Sequence, residues 1–172
     1  MTTAQLNLKK LESGFTLIEL LIVIGILAVL MGIVLVAINP AKQFASANDT
    51  KRRSDVTAIL DSIDQYAADN KGSLPTAGTT TIATSTAMLI AKTGTNTIDL
   101  CSSLITKYMA ALPTDPKNGI DGVTGDSNGS SVTNCANGYN TGYSVQQSAT
   151  DNRVTVSAVS EVNPGTIISV TR

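Results

Sequence analysis

The chain of 172 residues has no histidine, no tryptophan and only two phenylalanines, and charged residues make up just 15% of it. Without histidine there is no Ser-His-Asp or Cys-His nucleophile and no His-bearing metal site. Serine is abundant but has no evident base beside it, and neither a phosphate-cradling glycine loop nor an EF-hand pattern occurs. A formal net charge of −1 gives no whole-chain electrostatic footprint for nucleic acid or an anionic membrane. With aromatics this scarce, any core must be built from aliphatic side chains and four tyrosines. An enzymatic reading is therefore not supported.

What the chain does have is one long apolar run. From Phe15 to Ile38 the sequence is dominated by Leu, Ile and Val, and Glu19 is its only charge. At ~1.5 Å per residue such a helix crosses a ~30 Å hydrocarbon layer with some tilt. The run is too long for the 7–15-residue apolar part of a cleaved secretory signal, and no small-x-small site ends it. A retained, membrane-inserted helix is the expectation. Gly25 and Gly32 lie seven apart on it, and small residues at such a spacing let helices approach closely. A carboxylate inside this run is costly, roughly 2.5–3.5 kcal/mol at mid-helix, so Glu19 reads first as functional.

Gly14-Phe15-Thr16-Leu17-Ile18-Glu19, preceded by a short polar leader with Lys9 and Lys10, resembles the processing site of type IV pilins and type II secretion pseudopilins. The resemblance is strongest over residues 8–40. It implies that a prepilin peptidase cuts between Gly14 and Phe15 on the cytoplasmic face and that the new amine of Phe15 is methylated. It also implies that the chain is a structural subunit and that Glu19 meets the N-terminal amine of a neighbouring subunit during assembly. A local role stands beside that one: in the first turn of the helix, a carboxylate gains ~0.3–1 kcal/mol from the dipole when exposed. Counting Lys42, Lys51, Arg52 and Arg53 against Lys9 and Lys10, charge alone would put the C-terminal side in the cytoplasm. The family orientation is the opposite, and the two cysteines and the Ser/Thr-rich body fit an exported domain.

Asn39-Pro40 interrupts the apolar run, since proline lacks the N–H and biases the residue before it away from helical dihedrals. Either the two kink a continuous helix or Asn39 caps a new one. Beyond them Phe44, Val56, Ile59, Leu60, Ile63, Tyr66 and Ala67 follow helical spacing to about Asn70. Asp49, Arg52, Arg53, Asp61, Asp64 and Asp69 fill the polar remainder. Lys71-Gly72 ends this amphipathic helix. Residues 72–99 read as a variable surface segment with a short helix near Ser85–Lys92. Asp99 then caps a helix over Leu100–Ala111 that buries Leu104, Ile105, Tyr108 and Leu112. After a Gly/Asn-rich loop come three strands, at Gly142–Ala149, Arg153–Ser160 and Thr166–Arg172, in hydrophobic alternation. The Leu-Pro-Thr-Asp-Pro stretch at 112–116, followed by a Gly-Tyr strand, also resembles the body of major pseudopilins, more loosely.

The fold class expected is α+β: a long N-terminal helix, apolar then amphipathic, packed on a small antiparallel C-terminal sheet. The chain divides into a leader at 1–14, a membrane or filament-core helix at 15–38, an amphipathic helix at 39–70 and a globular head at 71–172. The part beyond the apolar run suffices for one modest domain and not two.

Cys101 and Cys135, the only cysteines, read as a disulfide in an exported domain. No cofactor is expected. Asp115, Asp121 and Asp126 are weak calcium candidates, because some major pseudopilins hold calcium near this region. Their spacing matches no named motif, and solvated turn acids are the preferred reading. Lys51-Arg52-Arg53 could touch DNA, as in pilins serving uptake, but three cations between Asp49 and Asp55 suit a salt-bridged, solvated helix face better.

The reading is a subunit that waits in the cytoplasmic membrane with its body outside, then polymerises with further copies through the N-terminal helices. Its partners would be the peptidase/methyltransferase and the pilus or type II secretion assembly machinery. Surface pilus and secretion or DNA-uptake pseudopilus both remain open. A monomeric, membrane-anchored extracytoplasmic binding domain is the alternative of another class, and a plain anchor has no need of Glu19.

Overall fold

The computed structural model describes residues 14–121 and 131–172. The chain falls into two units that divide between Ala41 and Lys42.

In the first unit, helix α1 spans Leu17–Ile38. Its residues are apolar on every side and none is buried. Among the described residues it is the one helix long and apolar enough to cross a membrane. It stops at Asn39, whose φ of 48° and ψ of 77° place it in the left-handed region. Asparagine tolerates that conformation better than most residues. Helix α2 then begins at Pro40, where a proline's missing N–H costs nothing. The backbone at Asn39-Pro40 is thus a break between two helices.

The second unit is an α+β head. Helix α2, Pro40–Asp69, lays Val56, Ile59, Leu60 and Ile63 into the core. Strands β1 (Met88–Ala91) and β2 (Thr97–Ile98), the single-turn helix α3 (Cys101–Leu104), and strands β3 (Asn140–Gln147), β4 (Val154–Val159) and β5 (Ile167–Thr171) follow. The sheet order is β2-β1-β3-β4-β5, with β1–β2 parallel and the other pairs antiparallel. Strands β3 and β4 bury every second residue: Thr141, Tyr143 and Val145 on one, Val154, Val156 and Ala158 on the other. All of these but Thr141, whose hydroxyl donates to the Ile90 carbonyl, join the apolar face of α2 in a single cluster. The three expected C-terminal strands are present: β3 is shifted two residues toward the N-terminus, and β4 and β5 each end one residue inside the expected bounds on both sides.

Five expectations need correction. Asp115 and Asp121, expected as solvated turn acids, are buried, Asp115 against Arg52. Met88–Ala91 is a strand rather than part of a helix, because it pairs with β3, Met88 opposite Val145. That pairing is long-range, and a short apolar run does not announce it. The helix after Asp99 ends at Leu104 instead of Ala111: Ile105 is extended and Thr106 has a φ of 73°. Two β-branched residues in succession are weak helix formers, and the chain turns there. Asp99 still engages that start, its Oδ1 accepting from the N–H of Cys101 at 3.0 Å. Phe44 is 72% exposed rather than part of the core stripe, since the first residue of α2 to be buried is Asp49. Asp49 and Arg52, assigned to the solvated face, are buried.

Candidate functional site

The N-terminal determinants lie together at the start of α1. Gly14 and Phe15 precede the helix and are exposed. A Cβ built on Gly14 would meet nothing within 4 Å. Nothing in the fold requires glycine there, so a requirement for it would come from a molecule that reads the site. Thr16 is the N-cap, and with Glu19 it forms a capping box. The Glu19 N–H donates to Thr16 Oγ1 at 3.2 Å, while Glu19 Oε2 accepts from the Thr16 N–H at 2.9 Å and its hydroxyl at 2.8 Å. This satisfies two N-terminal backbone donors that a helix otherwise leaves open. Added Cβ atoms at Gly25 and Gly32 would likewise meet nothing within 4 Å. Among the described residues nothing buries α1, which presents an exposed apolar surface with one carboxylate near its start.

The head holds a buried ionic centre that sequence periodicity does not expose. Arg52 on α2 is 1% exposed. Its Nε donates to Asp115 Oδ2 at 2.6 Å and its Nη2 to Asp115 Oδ1 at 3.1 Å, a two-pronged contact. Nη1 reaches Asp49 Oδ1 at 2.7 Å and Glu161 Oε2 at 3.3 Å. Asp49 also accepts from the Ser160 hydroxyl at 2.5 Å and from the N–H groups of Glu161 and Val162 at 2.8 and 3.2 Å. Burial opposes the Asp49 charge, but these hydrogen bonds outweigh it and hold the carboxyl well below its usual range. Asp115 behaves alike: burial opposes ionisation, while Arg52 and the N–H groups of Lys117 and Asn118 lower its pKa. The Asp115 contact, followed by burial's opposing effect and the bond to Asp49, sets the Arg52 guanidinium above its ordinary range. One side chain of α2 thus ties down the 115–119 turn and the β4–β5 connection.

Glycine is required where that turn lies against β3. A Cβ on Gly119 would fall 2.5 Å from Thr114 Cβ and 2.7 Å from the Asp115 backbone. At Gly142, whose φ is +77°, it would sit 2.7 Å from Asp115 Cβ. A second polar strut runs beside the first. The Tyr143 hydroxyl donates to Asp55 Oδ2 at 2.6 Å, and Lys51 reaches Asp55 at 2.6 Å and the Thr114 carbonyl at 3.0 Å. Burial, then the hydrogen bond to the Asp55 carboxylate, pushes the Tyr143 phenol up.

These contacts settle how the sequence candidates are placed. Lys51 is ion-paired on a partly open face, Arg52 is internal and Arg53 is exposed, so the three cations do not form a shared basic face. The Asp115 oxygens face the Arg52 fork, which already supplies a cation there. Asp121 is buried, and Asp126 lies outside the described residues. Among the described residues no three His, Cys, Asp or Glu side chains are grouped to hold a metal ion. Polarity is why periodicity missed the Arg52 centre. The spacing of Asp49, Arg52 and Val56 on one face was the available signal.

Cys101 and Cys135 form a disulfide, with Cα atoms 5.5 Å apart. Tyr139 braces it, donating to Asp99 Oδ1 at 2.7 Å and accepting from the Cys101 N–H at 3.3 Å. Cys135→Ser is expected to cost roughly 3–4 kcal/mol, the chain-entropy value for closing a loop of this length. The check is the urea midpoint of the head. A midpoint that matches the unreduced parent would mean the bridge does not constrain the unfolded chain.

Residues 9–35 match the prokaryotic N-terminal methylation motif, the signature of type IV pilins and pseudopilins. The match covers Gly14 and Phe15, the capping box and most of α1. No curated protein and no solved structure matches the chain.

Proposed function

We propose that this chain is a structural subunit that polymerises into a type IV pilus or pseudopilus after its leader is removed. The observation carrying this reading is the methylation motif at residues 9–35, set on an apolar helix of which no residue is buried among the described residues. In the membrane, lipid covers that surface. Outside it, only other apolar helices do, and burying such area stabilises by roughly 25 cal/mol per Å². Prepilin peptidase would cut between Gly14 and Phe15, and methylation would fall on the Phe15 amine. Gly25 and Gly32 would let neighbouring helices approach closely. The left-handed Asn39 and Pro40 would give the helix a place to adjust in length.

A pseudopilus of a secretion or DNA-uptake system uses the same processing, and the loose resemblance at 112–116 favours it as the second reading. The N-terminal mass of protein recovered from sheared cell-surface material tests both. A chain that starts at Phe15 and carries one added methyl is the expected result for a surface pilus. Processed protein confined to the membrane fraction would select the pseudopilus. An intact Met1 or Thr2 start, found only in membranes, would overturn both readings in favour of an anchored monomer.

A further inference from the structure

Strand β5 closes one side of the sheet, and its outer edge is open. Val154 and Arg172 exchange backbone hydrogen bonds of 2.8 and 3.0 Å, and the Ser160 N–H donates to Thr166 at 2.9 Å. Bonded and non-bonded pairs alternate along an antiparallel ladder. The register from Thr155 opposite Thr171 to Val159 opposite Ile167 runs without a shift. The backbone N–H and C=O groups of Ile167, Ser169 and Thr171 therefore point away from β4, and among the described residues no strand lies beyond them. Natural edges are usually blunted by charge, proline or a bulge. The sequence of β5, Ile-Ile-Ser-Val-Thr, has none of these.

Beside this edge runs a groove of about 510 Å³ between β5 and the first half of α2. Ile168 and Val170 give it an apolar floor, and Arg53 and Thr57 stand one turn apart on its helical wall. Arg53 is exposed, and no carboxylate among the described residues pairs with it. The groove's own acid, Asp49, is already taken up by Arg52 and Ser160. The result is a strand's worth of open backbone donors and acceptors beside an apolar floor and a single unneutralised cation.

We propose that this groove binds an extended, acidic segment of another polypeptide as an added strand. The edge groups of Ile167, Ser169 and Thr171 supply the main-chain hydrogen bonds, and alternate side chains of the segment settle on Ile168 and Val170. A carboxylate of the segment takes the two-pronged contact that Arg53 offers. A five-residue strand, ~17 Å long, matches β5.

The test uses the full chain in detergent micelles and the fluorescence anisotropy of a labelled five-residue peptide of alternating threonine and valine with a central glutamate. Saturable binding is expected, weakened at least about tenfold when the central residue is lysine, a gap that one desolvated charge contact supports. Arg53→Glu should reverse the preference between the two peptides. Ser169→Pro removes an outward N–H that β4 does not use, and should abolish binding while leaving the urea midpoint unchanged. Equal binding of the glutamate and lysine peptides, binding that survives Ser169→Pro, or no saturable binding would each overturn the proposal. A photo-crosslinker at Ser169 that joins two copies, and that the peptide does not compete away, would assign the groove to a second copy and overturn it as well.

Discussion

Arg52→Met is expected to destabilise the head by about 3–5 kcal/mol, the cost of leaving a buried charge without its partner. The guanidinium faces Asp49, Asp115 and Glu161, and the first two are buried with it. Methionine fills much of the volume, so the loss would come from the stranded carboxylates more than from a cavity. Adding Asp49→Asn and Asp115→Asn should then recover a large part of the loss, since uncharged partners no longer need the cation. Intrinsic tyrosine fluorescence can follow the transition, because the chain has four tyrosines and no tryptophan. Both carboxyls are held below their ordinary value of 3.8 in the folded head. Their contribution is therefore complete above about pH 3.8 and is lost as pH falls through the lower folded values. The parent's acid transition should lie below the ordinary carboxylate range, and Arg52→Met should bring it to higher pH. An unchanged urea midpoint and an unchanged acid limb in Arg52→Met would show that the centre does not hold the head together.

That centre also marks the limit of what the sequence makes legible. Helices α1 and α2 and strands β3 to β5 follow from local patterns, namely an unbroken apolar run, helical spacing and alternation with turns between. Each pattern is written within one continuous stretch of the chain. Strand β1 is different, because Met88–Ala91 becomes a strand only by pairing with β3, some fifty residues later in the chain. Arg52 is different again. A polar residue on a helix reads as solvated unless its acceptors are known, and two of them, Asp115 and Glu161, come from distant loops. Phe44 fails in the opposite sense: its spacing fits the buried stripe, but the head begins to cover α2 only at Asp49. At the N-terminus the motif was legible from Gly14 to Glu19. The capping box is written there too, since threonine followed three residues later by glutamate is its usual sign.

Glu19→Val is expected to leave membrane insertion intact and to abolish filament assembly. Insertion should not suffer, because the substitution removes the one charge of α1 and the desolvation cost that goes with it, roughly 2.5–3.5 kcal/mol at mid-helix and less near the interface. Losing the capping box weakens the first turn by ~1 kcal/mol, little for an apolar helix held by lipid. Assembly is more sensitive. If each incoming subunit pairs its N-terminal amine with Glu19 of a neighbour, the valine leaves a buried cation unpaired at every contact. About 3–5 kcal/mol per contact corresponds to a hundredfold or greater loss of affinity. Repeated along a polymer, that empties the sheared-surface fraction. Glu19→Gln separates this role from the local one, because glutamine also closes a capping box but carries no charge. Both variants should insert and be processed normally, and neither should yield filaments. Filaments from Glu19→Gln at parental levels would mean that the bonds to Thr16, and not the charge, are what Glu19 contributes.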